Sequence, residues 1–173
     1  MKKEKIIYFG NPVLRDQAKP VTAFHKKLHA LVDVMKFTLL NEDGAAALAA
    51  NQVSVPKRIT VINYMDEYLE LINPEIVSSS GESVDSEGCL SLPGYFGNVR
   101  RAETVIVKFQ DRNGKERTIE RSGRMARCLQ HEIDHLDGIL FIDRMEEQFV
   151  TNGENKLAVE DLLRATSVKR DVD

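Results

Sequence analysis

Two histidines separated by one helical turn, with a glutamate beside the first, are the residues in this 173-residue chain best spaced to do chemistry together. His131-Glu132-Ile133-Asp134-His135 has the pattern H-E-x-x-H. On an α-helix, positions i and i+4 lie on one face. Two imidazoles so placed can chelate one divalent cation, and the intervening carboxylate can reach a water on that cation. Ala126, Leu129, Ile133 and Leu136 form an apolar side around the motif. The spacing therefore predicts a helix over about Ser122–Leu136, with Ser122 as N-cap and Gly138 just past its end. A helix that carries two histidines for packing alone shows the same five letters, so a third ligand has to decide.

In zincin proteases that ligand comes from downstream, but no histidine follows His135, and Glu154 and Glu160 have no supporting context. Two cysteines lie upstream. Cys128 shares the helix face of His131 but is seven residues from His135, about 10 Å of helix rise. Ligand bonds of roughly 2.0–2.3 Å cannot close that span around one ion, so Cys128 reads as a small packing residue near the site. Cys89 lies in Ser86-Glu87-Gly88-Cys89-Leu90-Ser91-Leu92-Pro93-Gly94, a stretch punctuated by Gly and Pro that reads as a loop able to approach the helix. A buried small residue is the plain alternative for it.

The rest of the pattern supplies elements to position these groups. Leu28, Leu31, Val32, Met35 and Leu39 recur at helical spacing within Ala23–Leu40, with Thr22 as N-cap. Short strands are expected at Ala46–Ala50, Arg58–Asn63, Tyr68–Asn73 and Glu75–Ser79, with Pro56 and Pro74 at their ends. Thr104–Gln110 and Lys115–Arg121 form a hairpin around Asn113-Gly114. A third helix is expected over about Glu154–Val168. Short strands among three helices, without regular β-α alternation, predict an α+β fold. Its short, largely antiparallel sheets surround a central metal-binding H-E-x-x-H helix, with one N-terminal and one C-terminal helix. Residues 1–173 read as a single domain. Net charge is −3, which gives no electrostatic footprint for nucleic acid or an anionic membrane. No run approaches the ~18–20 apolar residues that span a bilayer, the N-terminus lacks a signal-peptide core, and two cysteines make no disulfide framework. A reducing cytoplasm is the expected setting.

Three motifs then resemble one family. Glu87-Gly88-Cys89-Leu90-Ser91 resembles the E-G-C-L-S motif of peptide deformylases. Gln130-His131-Glu132-x-Asp134-His135-Leu136-x-Gly138 resembles their Q-H-E-x-D-H-L-x-G motif, and Ala45–Gln52 resembles their G-x-G-L-A-A-x-Q motif. The resemblance covers about residues 6–146. It implies Cys89, His131 and His135 as ligands of one divalent metal ion, ferrous iron first, with zinc, nickel or cobalt as substitutes; ligand chemistry alone would suggest zinc. It implies Glu132 as general acid/base, and the Gln52 amide and Leu90 N–H as oxyanion donors. The reaction implied is removal of the formyl group from the formylmethionine of nascent polypeptides. Substrate contact is expected at Ala47, at Cys128 (with Leu129 beside it) and at Arg101, for which an exposed charge is the even alternative. His25 and His29 read as surface residues. C-terminal helices in some bacterial members make a transient ribosome contact. Here the balanced charges of the tail favour a helix lying on its own domain.

The chain departs from the motif at Ala45 and Ala47, where the family has Gly, and at Ser54, where Gly is usual. A required positive φ would strain any of them. Two other readings stand beside a deformylase. One is a metallopeptidase or amidase using the same helix, opposed by the upstream cysteine. The other is a non-catalytic binder of peptide N-termini, opposed by the intact ligand and base positions.

Overall fold

The computed structural model describes residues 1–166. The fold is α+β. A five-stranded antiparallel sheet has the order β1 (Ala47–Ala49), β2 (Ile59–Tyr64), β3 (Glu67–Ser80), β6 (Thr104–Gln110), β7 (Glu116–Ser122). A second sheet has the order β4 (Ser83–Cys89), β5 (Leu92–Arg101), β8 (Phe149–Asn152), β9 (Asn155–Ala158). Helix α1 (Lys26–Leu40) covers one face of the first sheet and α2 (Gly123–Leu136) the other.

Alternation along β2 explains this sandwich. Ile59 and Val61 pack with Leu28, Val32, Met35 and Leu39 of α1. Ile62 packs with Met125, Ala126, Leu129 and Ile133 of α2. Successive side chains of a strand point to opposite faces, so a strand with both faces covered reads as an unbroken apolar run.

Helix α2 is the central element. All its residues from Met125 to Leu136 except Cys128 are buried, so its polar side chains must find partners inside the protein. Gln130 clamps Ala102 by two bonds, accepting from its N–H at 3.1 Å and donating to its carbonyl at 3.0 Å. Arg58 donates to the Leu136 carbonyl at the C-terminal end of the helix (3.1 Å). Gly138 follows at φ +72, and a methyl group there would run into the Arg15 carbonyl.

Several boundaries differ from the sequence expectation. The two strands expected around Pro74 are one strand, β3, with a register shift between Ile72 and Glu75. Proline is tolerated at such a bulge, where no ladder N–H is needed. The adjacent Asn73 (φ +52) pins the irregularity by bonding both backbone groups of Val21 at 2.8 Å. Helix α1 starts at Lys26, with His25 rather than Thr22 as N-cap. The stretch expected to be a loop around Cys89 is the β4–β5 hairpin. Its glycines are packing sites, since a Cβ on Gly88 would fall 2.7 Å from the Phe96 ring. The helix expected from Glu154 is a hairpin strand followed by α3 (Val159–Thr166), because Gly153 at φ +57 turns the chain back between Asn152 and Asn155. The last two positions of that expected helix lie outside the described residues.

Gly138→Ala tests the junction after α2. Left-handed backbone costs an alanine about 1–2 kcal/mol, and the collision with backbone adds to it. Urea unfolding should show a loss of roughly 2–4 kcal/mol.

Candidate active site

Cys89, at the end of β4, meets α2 across the groove between the two sheets. Its Sγ lies 3.3 Å from His135 Nε2. The ligand atoms of Cys89, His131 and His135 all fall within 4.8 Å of one another. They border or underlie a cavity of about 810 Å³ whose wall includes Gln52, Cys89, Leu90, Cys128, His131 and Glu132.

His131 and Cys89 are each held by a second contact, Cys89 by the Gln52 amide, whereas His135 Nδ1 is buried with no hydrogen-bond partner among the described residues. His131 Nδ1 donates to Glu87 Oε1 at 2.8 Å, which leaves Nε2 for the site. Glu87 is itself buried, taking two bonds from Arg101 (both 2.8 Å) and one from Arg127 (2.8 Å). Arg101 continues to Asp134 at 2.6 Å, and Arg144 donates to the far oxygen of Asp134 at 2.8 Å. Burial pushes the Glu87 carboxyl up, but the bonds and charges of Arg101 and His131 outweigh it and hold the group well below the usual carboxylate range. Burial works against charge on His131 too, yet Cys89 and Glu87 draw a proton to it, while burial and the neighbouring His131 push His135 down. A soft thiolate, two imidazoles and a surrounding carboxylate suit a divalent cation of the iron-to-zinc series.

Glu132 points into the same space, its Oε1 4.0 Å from His131 Nε2 and its Oε2 3.5 Å from the Thr60 hydroxyl. Burial pushes its carboxyl up to about 7, against the pull of His131 and Thr60. Gln52 is oriented at both ends. Its Oε1 accepts from the Ala49 N–H (3.0 Å), so Nε2 faces Ser91 Oγ (3.1 Å) and Cys89 Sγ (3.5 Å).

The remaining expected residues separate. Ala45 and Ala47 line the cavity, and neither has a positive φ, so the feared strain is absent and only their methyl groups remain in the space. Ser54 does take the left-handed conformation, at φ 63 and ψ 23. Cys128 lines the cavity, and burial pushes its thiol up, with Glu132 and Glu87 adding. Leu129 turns instead into the core beneath the sheet. Arg101 is neither an exposed charge nor part of the cavity wall; its two carboxylate partners hold it inside. His25 and His29 take no part, and His29 Nε2 donates to the Arg112 carbonyl at 2.7 Å. Sequence reading missed the roles of Glu87, Arg127, Asp134 and Thr60. Glu87 and Asp134 stood inside the quoted motifs. Arg127 and Thr60 carried no spacing signal.

The matches to known proteins agree with this geometry. The family model described as "Polypeptide deformylase" matches residues 3–150. A peptide deformylase of Heliobacterium modesticaldum is 48% identical over 142 residues, 82% of this chain and 93% of the relative. One from Thermoanaerobacter pseudethanolicus is 51% identical over 135 residues, 78% of this chain and 84% of the relative. Among solved structures, a peptide deformylase from Thermotoga maritima aligns with a TM-score of 0.82 at 38% identity, covering 85% of this chain and all of that one. One from Legionella pneumophila aligns at 0.80 and 44% identity, covering 84% and 87%.

Glu87→Gln tests the support beneath His131. A folded pKa below the unfolded value of about 4.3 means stability that is present above that pH and lost as pH falls below it. The variant should therefore unfold more easily at pH 7, by about 3–5 kcal/mol for a broken buried pair. Its stability should also fall less steeply than that of the wild type below pH ~4. Metal affinity should drop about 10–100-fold. Urea titrations at several pH values and competition with a chelator measure these effects.

Proposed function

The chain belongs to the polypeptide deformylase family, a metal-dependent hydrolase that removes the N-terminal formyl group of newly made polypeptides, and we propose the following roles for its residues. The observation that carries this assignment is the convergence of Cys89, His131 and His135 beside the buried carboxyl of Glu132. Cys89 Sγ and the two imidazoles would hold one divalent cation. A cation bound there would supply Lewis acidity, lowering the pKa of water toward neutrality. Ferrous iron is the proposed occupant, on the family's chemistry, and the donor set also accepts zinc, nickel or cobalt.

Glu132 takes the proton of the attacking water and passes it to the departing amine. A carboxyl raised by burial is suited to both steps. As the formyl carbon becomes tetrahedral, its oxygen needs donors where negative charge grows. Gln52 Nε2 and the Leu90 N–H are assigned to it, and the bond between Gln52 Oε1 and Ala49 fixes the amide for that task. β1 is an edge strand bordering the cavity, so an extended substrate can pair along it past Ala47. Cys128 gives an apolar wall for the methionine side chain. Arg101 acts from behind, through Glu87 and His131, as a positioning residue.

The chain works as one catalytic domain in the cytoplasm, where its free thiols stay reduced. No helix among the described residues is long and apolar enough to cross a membrane. In α3, Leu162 and Leu163 pack against the cluster containing Phe141 and Val150, which favours a helix lying on its own domain over one that docks on the ribosome.

Anaerobically purified, iron-loaded protein should deformylate a formyl-Met tripeptide. Glu132→Gln should lower kcat/KM by about 10²–10⁴-fold with metal content unchanged. Full turnover in the variant would remove Glu132 from the mechanism. No turnover by metal-replete wild type would favour a binding protein that keeps the fold.

A further inference from the structure

The β8–β9 hairpin lies almost wholly past residue 150, where the match to the family model ends. It is firmly joined to the site. Val150 is fully buried in the cluster beneath the second sheet. Asn152 occupies the space left by Gly94, its Nδ2 3.0 Å from where a Cβ would stand. Thr151 pairs with Phe96. Gly94 and Phe96 both line the active-site cavity, so the hairpin prolongs one of its walls.

The outer face of that extension is apolar. Phe96 is 52% exposed and Phe149 43%. Directly opposed residues in an antiparallel pair share a face, so Phe96 and Thr151 point the same way, and Phe149, two residues before Thr151, points with them. Such diagonal neighbours stand roughly 7–8 Å apart, within aromatic reach. Lys156, opposite Thr151, holds its Nζ 5.8 Å from the centre of the Phe149 ring. Two rings and one cation thus form a strip that begins at the cavity wall and runs onto the hairpin.

We propose that Phe96, Phe149 and Lys156 dock the polypeptide segment downstream of the formylmethionine, favouring apolar residues there with an acidic residue beside them. The inference rests on the deformylase reading. A substrate held by its first residue must lead its chain out of the cavity, and Phe96 belongs both to the cavity wall and to the strip. Leu92 pairs with Cys89 at the metal-ligand end of the hairpin. The hairpin is irregular beyond that pair, because Glu87 already pairs with Gly97, so Phe96 stands beside Gly88, the neighbour of Cys89, and Phe149 lies one diagonal, roughly 7–8 Å, farther out. An extended substrate therefore passes Phe96 first and reaches Phe149 and Lys156 with roughly its fourth to seventh residues, and a tripeptide stops short of that outer part.

Three formylated substrates test this with iron-loaded protein. They are a formyl-Met tripeptide and two heptapeptides carrying Leu-Phe-Glu or Ser-Ser-Lys at positions five to seven. Wild type should prefer the first heptapeptide over the second by roughly 5–30-fold in kcat/KM, the scale of one buried aromatic contact. Phe149→Ser should reduce that preference to about twofold or less and leave the tripeptide unchanged. Lys156→Glu, with Phe96 and Phe149 intact, should also weaken that preference, because Glu at position seven then meets a like charge and Lys an opposite one, and should leave the tripeptide unchanged. Equal preference in wild type and both variants, with the tripeptide turned over normally, overturns the docking strip alone. Failure on every substrate overturns the deformylase reading and the strip with it. Concentration-dependent dimerisation in sedimentation that Phe149→Ser abolishes assigns the face to a second copy of the chain and also overturns the proposal.

Discussion

The carboxylate of Glu87 is the constraint on which the site depends. It is buried, ionised and shared by two arginines and one histidine from β5 and α2. Removing such a charge from water costs several kcal/mol, and only close partners with satisfied hydrogen bonds offset it. Arg101 and Arg127 supply the charge balance, and His131 donates to Oε1, the oxygen it shares with Arg101, which fixes its tautomer. Two residues along β4 from Glu87 stands Cys89. One turn along α2 from His131 stands His135. The carboxylate therefore fixes the β4–α2 junction at which the two halves of the ligand set meet.

The larger architecture keeps that junction rigid. Helix α2 is packed against the first sheet along one side, clamped at Ala102 by Gln130 and capped by Arg58. The second sheet brings Cys89 to it as part of a hairpin rather than on a free loop. A ligand on a paired strand is held more closely than one on a loop, which suits a site that must present three donors within one coordination sphere. Alanine is accommodated at positions 45 and 47 because neither needs a positive φ. Their backbone is in ordinary conformations, so the methyl groups alter only the lining of the cavity. The strained position of that segment is instead Ser54, whose exposed left-handed turn lies outside the cavity wall.

Sequence reading recovered what periodicity and spacing encode. The H-E-x-x-H helix, the β6–β7 hairpin and the convergence of Cys89 with His131 and His135 were legible because each depends on local pattern or on a specific motif. The β4–β5 hairpin was not, because Gly88, Gly94 and Gly97 interrupt its alternation and two of them exist to seat Phe96 and Met145. The role of Arg101 was hidden for another reason. Whether an arginine faces water, substrate or a buried carboxylate is decided by tertiary neighbours, here Glu87 and Asp134. The tail reads as one long helix because its apolar stripe is too weak to mark a boundary, yet Asn152-Gly153 is the same hairpin signal as Asn113-Gly114, and the chain turns there.

The central claim is that one cation is held jointly by β4 and α2, through Cys89 and the two histidines. Cobalt(II) loading tests it most directly, since a cysteine thiolate on cobalt absorbs in the near ultraviolet. The account predicts one cobalt per chain and a thiolate-to-cobalt band that Cys89→Ser abolishes and Cys128→Ser preserves. A band that survives Cys89→Ser but vanishes in Cys128→Ser would contradict it, as would stoichiometric binding with no thiolate band.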